Sequence, residues 1–104
     1  MFLRNLTRHD RVKAVLASRL RAKMEVACLA GRVDVLTKAE AIEVKHISKW
    51  KQAVGQAQCY AACTGTLPRV HLYADENKAL KRLSPARERI LDELGVRFSY
   101  EFDH

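Results

Sequence analysis

Three short apolar segments follow one another in the first half of the chain, and the turns between them are only one or two residues long. They span residues 25–30, 32–37 and 40–46, with Gly31 forming the first turn. β-Branched residues alternate within the second and third segments, as is typical of strands with one buried face. Such short turns connect only antiparallel strands, because a parallel connection needs a dozen or more residues. The sequence therefore predicts a three-stranded antiparallel meander.

Helical periodicity precedes and follows this meander. Residues 8–23 carry an amphipathic stripe formed by Val12, Val15, Leu16 and Leu20. Residues 49–63 carry a second stripe formed by Trp50, Val54, Ala57 and Ala61. Both segments are expected to be helices that bury one face.

The second half of the chain continues with two more strands and further helical pieces. Strands are predicted at residues 70–73 and 96–100, and helical pieces between residues 79 and 94 with a break at Pro85. The order α, β, β, β, α, β, α, β predicts an α/β fold with a mixed central sheet flanked by helices. At 104 residues, the chain is expected to form a single domain over residues 1–104.

Positive charge is concentrated at the start of the chain. The sequence has a net charge of +7, and residues 1–24 contain seven Lys or Arg against Asp10 alone. Such a cluster favours a polyanionic partner, and nucleic acid is the leading candidate. A solvated helix face on a basic protein explains the same cluster equally well.

Apolar runs and cysteines restrict the cellular setting. The longest apolar runs are four or five residues, far below the roughly 20 needed to span a bilayer. The first eight residues contain scattered arginines and no apolar block, so a cytoplasmic protein without a membrane segment is expected. The odd set Cys28, Cys59 and Cys63 is expected to be reduced and mostly buried.

Charged residues interrupt two of the meander strands. Asp34 and Glu43 lie in consecutive strands, where an antiparallel register can bring their carboxylates side by side. Adjacent carboxylates repel unless a divalent cation lies between them. Lys45 follows on the same strand face, about 7 Å further along, where it can reach a phosphate. The set predicts metal-assisted phosphodiester hydrolysis. A plain ion pair between Glu43 and Lys45, with Asp34 facing solvent, is the alternative.

These segments carry a family resemblance. GRVDVL at residues 31–36, followed by IEVK at residues 42–45, resembles the D…(D/E)-x-K signature of the PD-(D/E)XK nucleases. Val33 stands where that family usually has Pro. Gln56 and Tyr60 match the Q-x-x-x-Y motif of RecB-like members, and their i, i+4 spacing places both on one helix face. The resemblance covers residues 8–75 and implies a restriction-endonuclease-like αβββαβ core.

The resemblance also implies roles for individual residues. Asp34, Glu43 and the Val44 carbonyl would hold Mg²⁺, or alternatively Mn²⁺, and Lys45 would position or activate the attacking water. Two helix residues, Gln56 and Tyr60, would brace the site or contact the phosphate backbone. The acid that the family often carries in its first helix corresponds to Asp10, with Glu25 as the alternative. Asp10 is also explained as a helix N-terminal acid, and Glu25 as a solvated charge.

The chain is thus expected to be a small Mg²⁺-dependent DNA endonuclease, similar to the minimal Holliday-junction-resolvase-like members of this family. It is expected to act as a homodimer or higher homo-oligomer, because each copy has one cleavage site. The candidate phosphate contacts are Arg11, Lys13, Arg19, Arg21, Lys23, Arg32, His46 and Lys49. A non-catalytic nucleic-acid-binding module on the same fold is the alternative.

Overall fold

The chain folds into an alternation of helices and strands, and the computed structural model describes residues 7–74 and 85–102. The elements are α1 (Arg8–Leu20), β1 (Lys23–Cys28), β2 (Gly31–Leu36), β3 (Glu40–His46), α2 (Trp50–Thr64), β4 (Leu67–Ala74), α3 (Pro85–Glu93) and β5 (Arg97–Phe102). A single 3-10 turn, Ile47–Lys49, leads into α2. The expected helical residues 79–83 lie outside the described residues.

The five strands form one mixed sheet in the order β1-β2-β3-β4-β5. β1, β2 and β3 pair antiparallel, so the predicted meander is confirmed. β3 pairs with β4 in parallel, and β4 pairs with β5 in parallel. The β3–β4 ladder runs from Glu40 opposite Leu67 to His46 opposite Tyr73, so β4 begins three residues earlier than its apolar pattern predicts. The predicted α/β architecture with a mixed sheet and flanking helices is confirmed.

Helices cover both faces of the sheet. On one face, α1 packs through Val12, Leu16 and Ala17 against Val35, Ile42, Val44 and Tyr73. On the other face, α2 and α3 pack through Ala53, Val54, Ala57 and Leu91 against Val70 and Leu72. No helix in the described part of the chain is long and apolar enough to span a membrane.

The buried face of α1 differs from the predicted stripe. Val12 and Leu16 are buried as expected, but Val15 and Leu20 are exposed, and Lys13 is only 7% exposed. Lys13, named above as a candidate phosphate contact, therefore lies on the buried face of α1 and not on its exposed basic surface. Its ammonium group forms an ion pair with Glu25 while its aliphatic stem is buried, and that pairing allows a cation on the sheet side of the helix.

The cysteines also differ from expectation. Cys59 and Cys63 are exposed, and only Cys28 is half-buried, so the prediction of mostly buried thiols is wrong. In α2, Ala57 and Ala61 face the sheet. Cys59 and Cys63 each lie two residues later, which is more than half a turn around the helix. All three cysteines are free thiols.

Candidate functional site

Asp34 and Glu43 meet where β2 and β3 separate. The β2–β3 ladder comprises Val35 opposite Ile42 and Leu36 opposite Ala41. Beside it, the main-chain amide of Asp34 donates to Oε1 of Glu43 at 3.2 Å. The main-chain amide of Val44 donates to Oδ2 of Asp34 at 2.9 Å. Each carboxylate is thus held by the main chain of the opposite strand, which brings the two predicted acidic residues together.

Burial and like charge make this carboxylate pair electrostatically unfavourable. Glu43 is only 3% exposed. Burial, and next the neighbouring charge of Asp34, raise the pKa of Glu43 to about 8. The ammonium group of Lys45 opposes this rise in pKa, because its positive charge favours the ionised carboxylate. The site therefore holds a proton at neutral pH unless further positive charge reaches it.

Lys45 and two side chains of α2 complete the predicted site on this part of the sheet. Lys45 is half-buried and projects from the same face of β3 as Glu43. Burial raises the pKa of the Tyr60 hydroxyl, and the negative charges of Glu43 and Asp34 raise it further. Gln56 precedes it by one turn, and its side-chain oxygen is buried with no hydrogen-bond donor among residues 7–74 and 85–102.

Tyr60 reaches the site across Gly31, the first residue of β2. A Cβ atom on Gly31 would lie 2.9 Å from the Tyr60 hydroxyl oxygen, which is closer than real contacts allow. The φ angle of Gly31 is +136°, a value that other residues rarely adopt. The backbone at residue 31 therefore favours glycine, and any added Cβ would force the Tyr60 ring to shift.

His9 of α1 also enters the site, and it is not among the site residues predicted from the sequence. Its Nε2 lies 2.7 Å from the carbonyl oxygen of Val44 and 3.7 Å from Oδ2 of Asp34. Residue 9 precedes the buried Val12, Lys13 and Leu16 by three, four and seven positions, which places it on the same face of α1. The spacing in the sequence predicts this position of His9 if Lys13 is assigned to the buried face.

Asp10, the predicted first-helix acid, lies beside the site and takes part in capping the N-terminus of α1. Its carboxylate accepts hydrogen bonds from the Thr7 amide and hydroxyl, and the Thr7 hydroxyl accepts one from the Asp10 amide. These Thr7 hydrogen bonds hold the pKa of Asp10 below its usual value. The other carboxylate oxygen lies 3.9 Å from Nδ1 of His9. Direct metal binding by Asp10 stays a prediction. The alternative acid, Glu25, is paired with Lys13.

The donors at this site are of the kind that a magnesium ion takes. In the described part of the chain, no group of three or more His, Cys, Asp and Glu side chains is arranged to hold a metal ion. The predicted donors are instead two carboxylates and the carbonyl of Val44. Magnesium commonly takes one or two carboxylates and keeps several waters, so this set fits it chemically. On the same face of α2 as Tyr60, the buried side-chain oxygen of Gln56 has no hydrogen-bond donor among the described residues.

Most of the predicted phosphate contacts lie on the surface. The exposed members of the set are Arg11, Arg19, Arg21, Lys23, Arg32 and Lys49. His46 is half-buried, with its ring edge-on to Tyr73 at 5.5 Å. Lys13 is buried and is removed from the set. DNA contact by the others stays a prediction.

A second polar cluster, on β4 and β5, was not predicted. His71 is buried, with Nδ1 2.7 Å from Oγ of Ser99 and Nε2 2.8 Å from Oε1 of Glu101. Arg69 donates to Ser99 and to Glu40. Ser99 and Glu101 thus satisfy both ring nitrogens of His71, which is how the sheet can bury this side chain. The partners of His71 are 28 and 30 residues away in sequence, so no local pattern reveals them.

The chain is similar to two KilA-N domain-containing proteins of Acanthamoeba polyphaga mimivirus. It is 33% identical to one over 76 residues, which is 73% of this chain and 18% of the relative. It is 33% identical to the other over 57 residues, which is 55% of this chain and 23% of the relative. The chain thus spans about a fifth of the length of these curated relatives. No protein-family profile matches the chain, and no solved structure matches it.

Proposed function

We propose that this chain is a DNA-binding domain. Two observations support this: the viral relatives contain a KilA-N domain, which is a DNA-binding domain, and the chain carries a net charge of +7. Six of the basic side chains predicted to contact phosphate are exposed. Binding of this kind neutralises DNA phosphates and releases counterions.

We further propose that the domain cleaves DNA as a metal-dependent endonuclease of the PD-(D/E)XK type. The observation that carries this proposal is the pairing of the buried Glu43 with the half-buried Asp34, in which the pKa of Glu43 is raised to about 8. Two carboxylates placed this way destabilise the fold unless positive charge compensates them. Strongly perturbed groups of this kind are concentrated at functional sites. The fold agrees, since α1, the meander, α2 and the parallel strand β4 follow the αβββαβ order.

Each residue at the site would have a distinct role. Asp34, Glu43 and the Val44 carbonyl would hold Mg²⁺ or Mn²⁺, and such a cation polarises a phosphate and lowers the pKa of water. Lys45 would orient the attacking water or offset charge that develops on the phosphate. Tyr60 and Gln56 would brace the carboxylates or contact the DNA backbone.

A non-catalytic DNA-binding module is the second candidate. The names of the viral relatives give a KilA-N domain and no catalytic activity, so they agree with this alternative more closely than with a nuclease. The two candidates share the basic surface and differ in the use of Asp34 and Glu43. Cleavage therefore separates them.

The test compares the parent protein with Glu43→Gln on linear, nicked, single-stranded, flap and four-way DNA. Reactions contain Mg²⁺, Mn²⁺ or EDTA, and binding is measured separately by mobility shift in EDTA. A nuclease cleaves at least one substrate only with a cation, and Glu43→Gln binds DNA without cleaving it. Binding without cleavage in every condition supports the module, and absence of binding overturns both candidates. Sedimentation of the protein–DNA complex tests the predicted homodimer.

A further inference from the structure

We propose that a groove between the start of α2 and the helix α3 binds an unpaired nucleotide of single-stranded DNA, with the base stacked on Trp50 and the phosphate beside Lys49 and Arg87. This inference rests on the proposed DNA binding and is independent of the proposed metal site. It adds a contact to a base, whereas contacts to phosphates carry no information about the base. The groove can therefore be tested without any nuclease assay.

The groove has the size and the charge of a nucleotide site. Its volume is about 660 Å³, which is within the range of pockets that hold small ligands. Trp50 and Gln52 of α2 line it together with Arg87 and Ile90 of α3, and Lys49 lies just before α2. None of the described residues that line the groove is acidic, and no acidic residue lies in the first turn of α2. Its charge therefore favours a ligand that carries phosphate.

The indole ring of Trp50 is positioned to contact a ligand. The side chain is half-buried: it packs against the core cluster that contains Val54 and Leu91, and it also lines the groove. The guanidinium carbon of Arg87 lies over the ring, 5.9 Å from its centroid. Planar groups in contact lie about 3.5–4 Å apart, so Arg87 is near the ring without stacking on it. A base can therefore stack on Trp50 while Arg87 reaches the adjoining phosphate.

An aromatic ring beside basic side chains selects unpaired DNA. In a duplex the neighbouring base pairs cover both faces of each base, so an indole ring can stack on a base only after the base has left the helix. The bases of a single strand are accessible, and every base offers a face for stacking whatever its sequence. The exposed amide of Gln52 can also form hydrogen bonds with the edge of such a base. The groove therefore favours a single-stranded segment over a continuous duplex.

The charge outside the groove favours a DNA strand over a free nucleotide. The chain has a net charge of +7, and most of its basic side chains do not line the groove. Such side chains can neutralise further phosphates of a strand, whereas a free nucleotide has phosphates only at the groove itself. A single strand should therefore bind more tightly than a nucleoside triphosphate.

The decisive experiment measures the fluorescence of Trp50, which is the one tryptophan of the chain, during titration of the full chain in EDTA. The probes are a short oligothymidylate, a blunt duplex of the same length, dTTP and poly-glutamate, and anisotropy of labelled DNA measures binding in parallel. We expect the oligothymidylate to quench the fluorescence, because a stacked base contacts the indole ring directly. The duplex should leave the fluorescence nearly unchanged even at concentrations at which it is bound.

Variants test the groove by affinity. Trp50→Leu should lower the affinity for oligothymidylate on the order of 10-fold and change the affinity for the duplex much less. Trp50→Phe keeps an aromatic face and should retain most of the affinity. Arg87→Gln should also weaken binding of the single strand. Its matched control is Arg89→Gln, which removes the same charge from an exposed position of α3 that does not line the groove. Circular dichroism verifies that each variant is folded.

Other outcomes overturn different parts of the proposal. If oligothymidylate binds without quenching Trp50, or if Arg87→Gln weakens its binding no more than Arg89→Gln does, then the groove is not its site and the proposed DNA binding remains intact. If dTTP or poly-glutamate quenches Trp50 and binds as tightly as oligothymidylate, then the groove is a site for a free nucleotide or for an acidic protein, and the assignment to single-stranded DNA is wrong. If neither single-stranded nor duplex DNA binds, then the proposed DNA binding and the groove are overturned together.

Discussion

The carboxylate of Glu43 accepts a hydrogen bond from the main-chain amide of Asp34 at 3.2 Å, at the point where their two strands stop pairing. The Glu43 carboxylate thus replaces the main-chain carbonyl that would accept this hydrogen bond in a regular sheet. The Asp34 amide is therefore hydrogen-bonded although the two strands no longer pair there. The same contact brings two carboxylates together in a buried place. Stability and the proposed cation binding are therefore coupled at this pair.

The first prediction concerns stability against pH in the absence of divalent cations. The pKa of Glu43 is raised to about 8, so the folded protein keeps a proton that the unfolded chain loses near pH 4.5. The stabilisation is complete below pH 4.5 and is lost as pH rises through about 8. We expect the free energy of unfolding to fall by up to about 1.4 kcal/mol per pH unit in this window. Urea unfolding in EDTA between pH 4.5 and 8 measures it.

Glu43→Gln tests the origin of that slope. Gln cannot ionise, and its side-chain oxygen can still accept from the Asp34 amide, so the slope should largely disappear. Glu93→Gln, at the exposed end of α3, is the matched control and should keep the parent slope. If the free energy of unfolding has the same pH slope in the parent and in Glu43→Gln, then a group other than Glu43 causes the pH dependence.

The second prediction separates Lys45 from the general basic surface. Lys45→Ala removes an ammonium group beside Glu43 and should lower the cleavage rate about 100-fold or more while DNA affinity changes little. The measurement is single-turnover cleavage, with binding determined in parallel. Lys51→Ala is the control, because Lys51 is exposed and lies over the Trp50 ring. If Lys45→Ala weakens DNA binding but leaves the cleavage rate of bound DNA unchanged, then Lys45 contributes to binding and not to the cleavage step.

Local patterns predicted the strands more accurately than the faces of the helices. The third strand is found at Glu40–His46 as expected, because its β-branched residues and the short turns beside it mark a strand, although both of its faces are buried from Glu40 to Val44. In α1, the apolar residues are compatible with burial of either of two neighbouring faces of the helix. The choice depends on Lys13, whose partner Glu25 lies on another element. Choosing the wrong face hid His9 as well, since it shares the face of Lys13.

The acidic pair was predictable, but its surroundings were not. Carboxylates at Asp34 and Glu43 are unexpected in apolar strands, and that conflict revealed them in the sequence. The raised pKa of Glu43 depends on how deeply the helices bury the strands, and no local sequence pattern predicts that depth. The close approach of Tyr60 to Gly31 depends likewise on the packing of α2 against the sheet.

The third prediction concerns the exposed Lys and Arg side chains among the first 24 residues of the chain. Replacing Arg11, Arg19 and Lys23 together by Gln should reduce the slope of log affinity against log salt by about 0.9 for each DNA phosphate that the variant no longer neutralises. Lys13→Gln removes one positive charge from the same helix but at a buried position, so it should leave the slope unchanged. Fluorescence anisotropy with labelled DNA at several salt concentrations measures both. Unchanged slopes in the triple variant would limit these residues to maintaining solubility.

The last prediction concerns two glycines, one beneath Tyr60 at the site and one within α2. Gly31→Ala should destabilise the fold by on the order of 1–3 kcal/mol, because its φ of +136° is strained for any side chain. The new Cβ would also meet the Tyr60 hydroxyl at 2.9 Å. Gly55→Ala is the control, since it lies within α2 with open space around it, and it should stabilise the fold by about 0.5–1 kcal/mol.

Adding Tyr60→Phe to Gly31→Ala separates backbone strain from the clash. Removing the hydroxyl relieves the closest contact, although a ring carbon remains 3.3 Å from the new Cβ. The double variant should therefore recover part of the stability that Gly31→Ala removes, and the remainder measures the strain at residue 31. Urea unfolding of the parent, both single variants and the double variant gives these differences. If Gly31→Ala is as stable as the parent, or if Tyr60→Phe recovers nothing, then the Tyr60 hydroxyl is not held over Gly31.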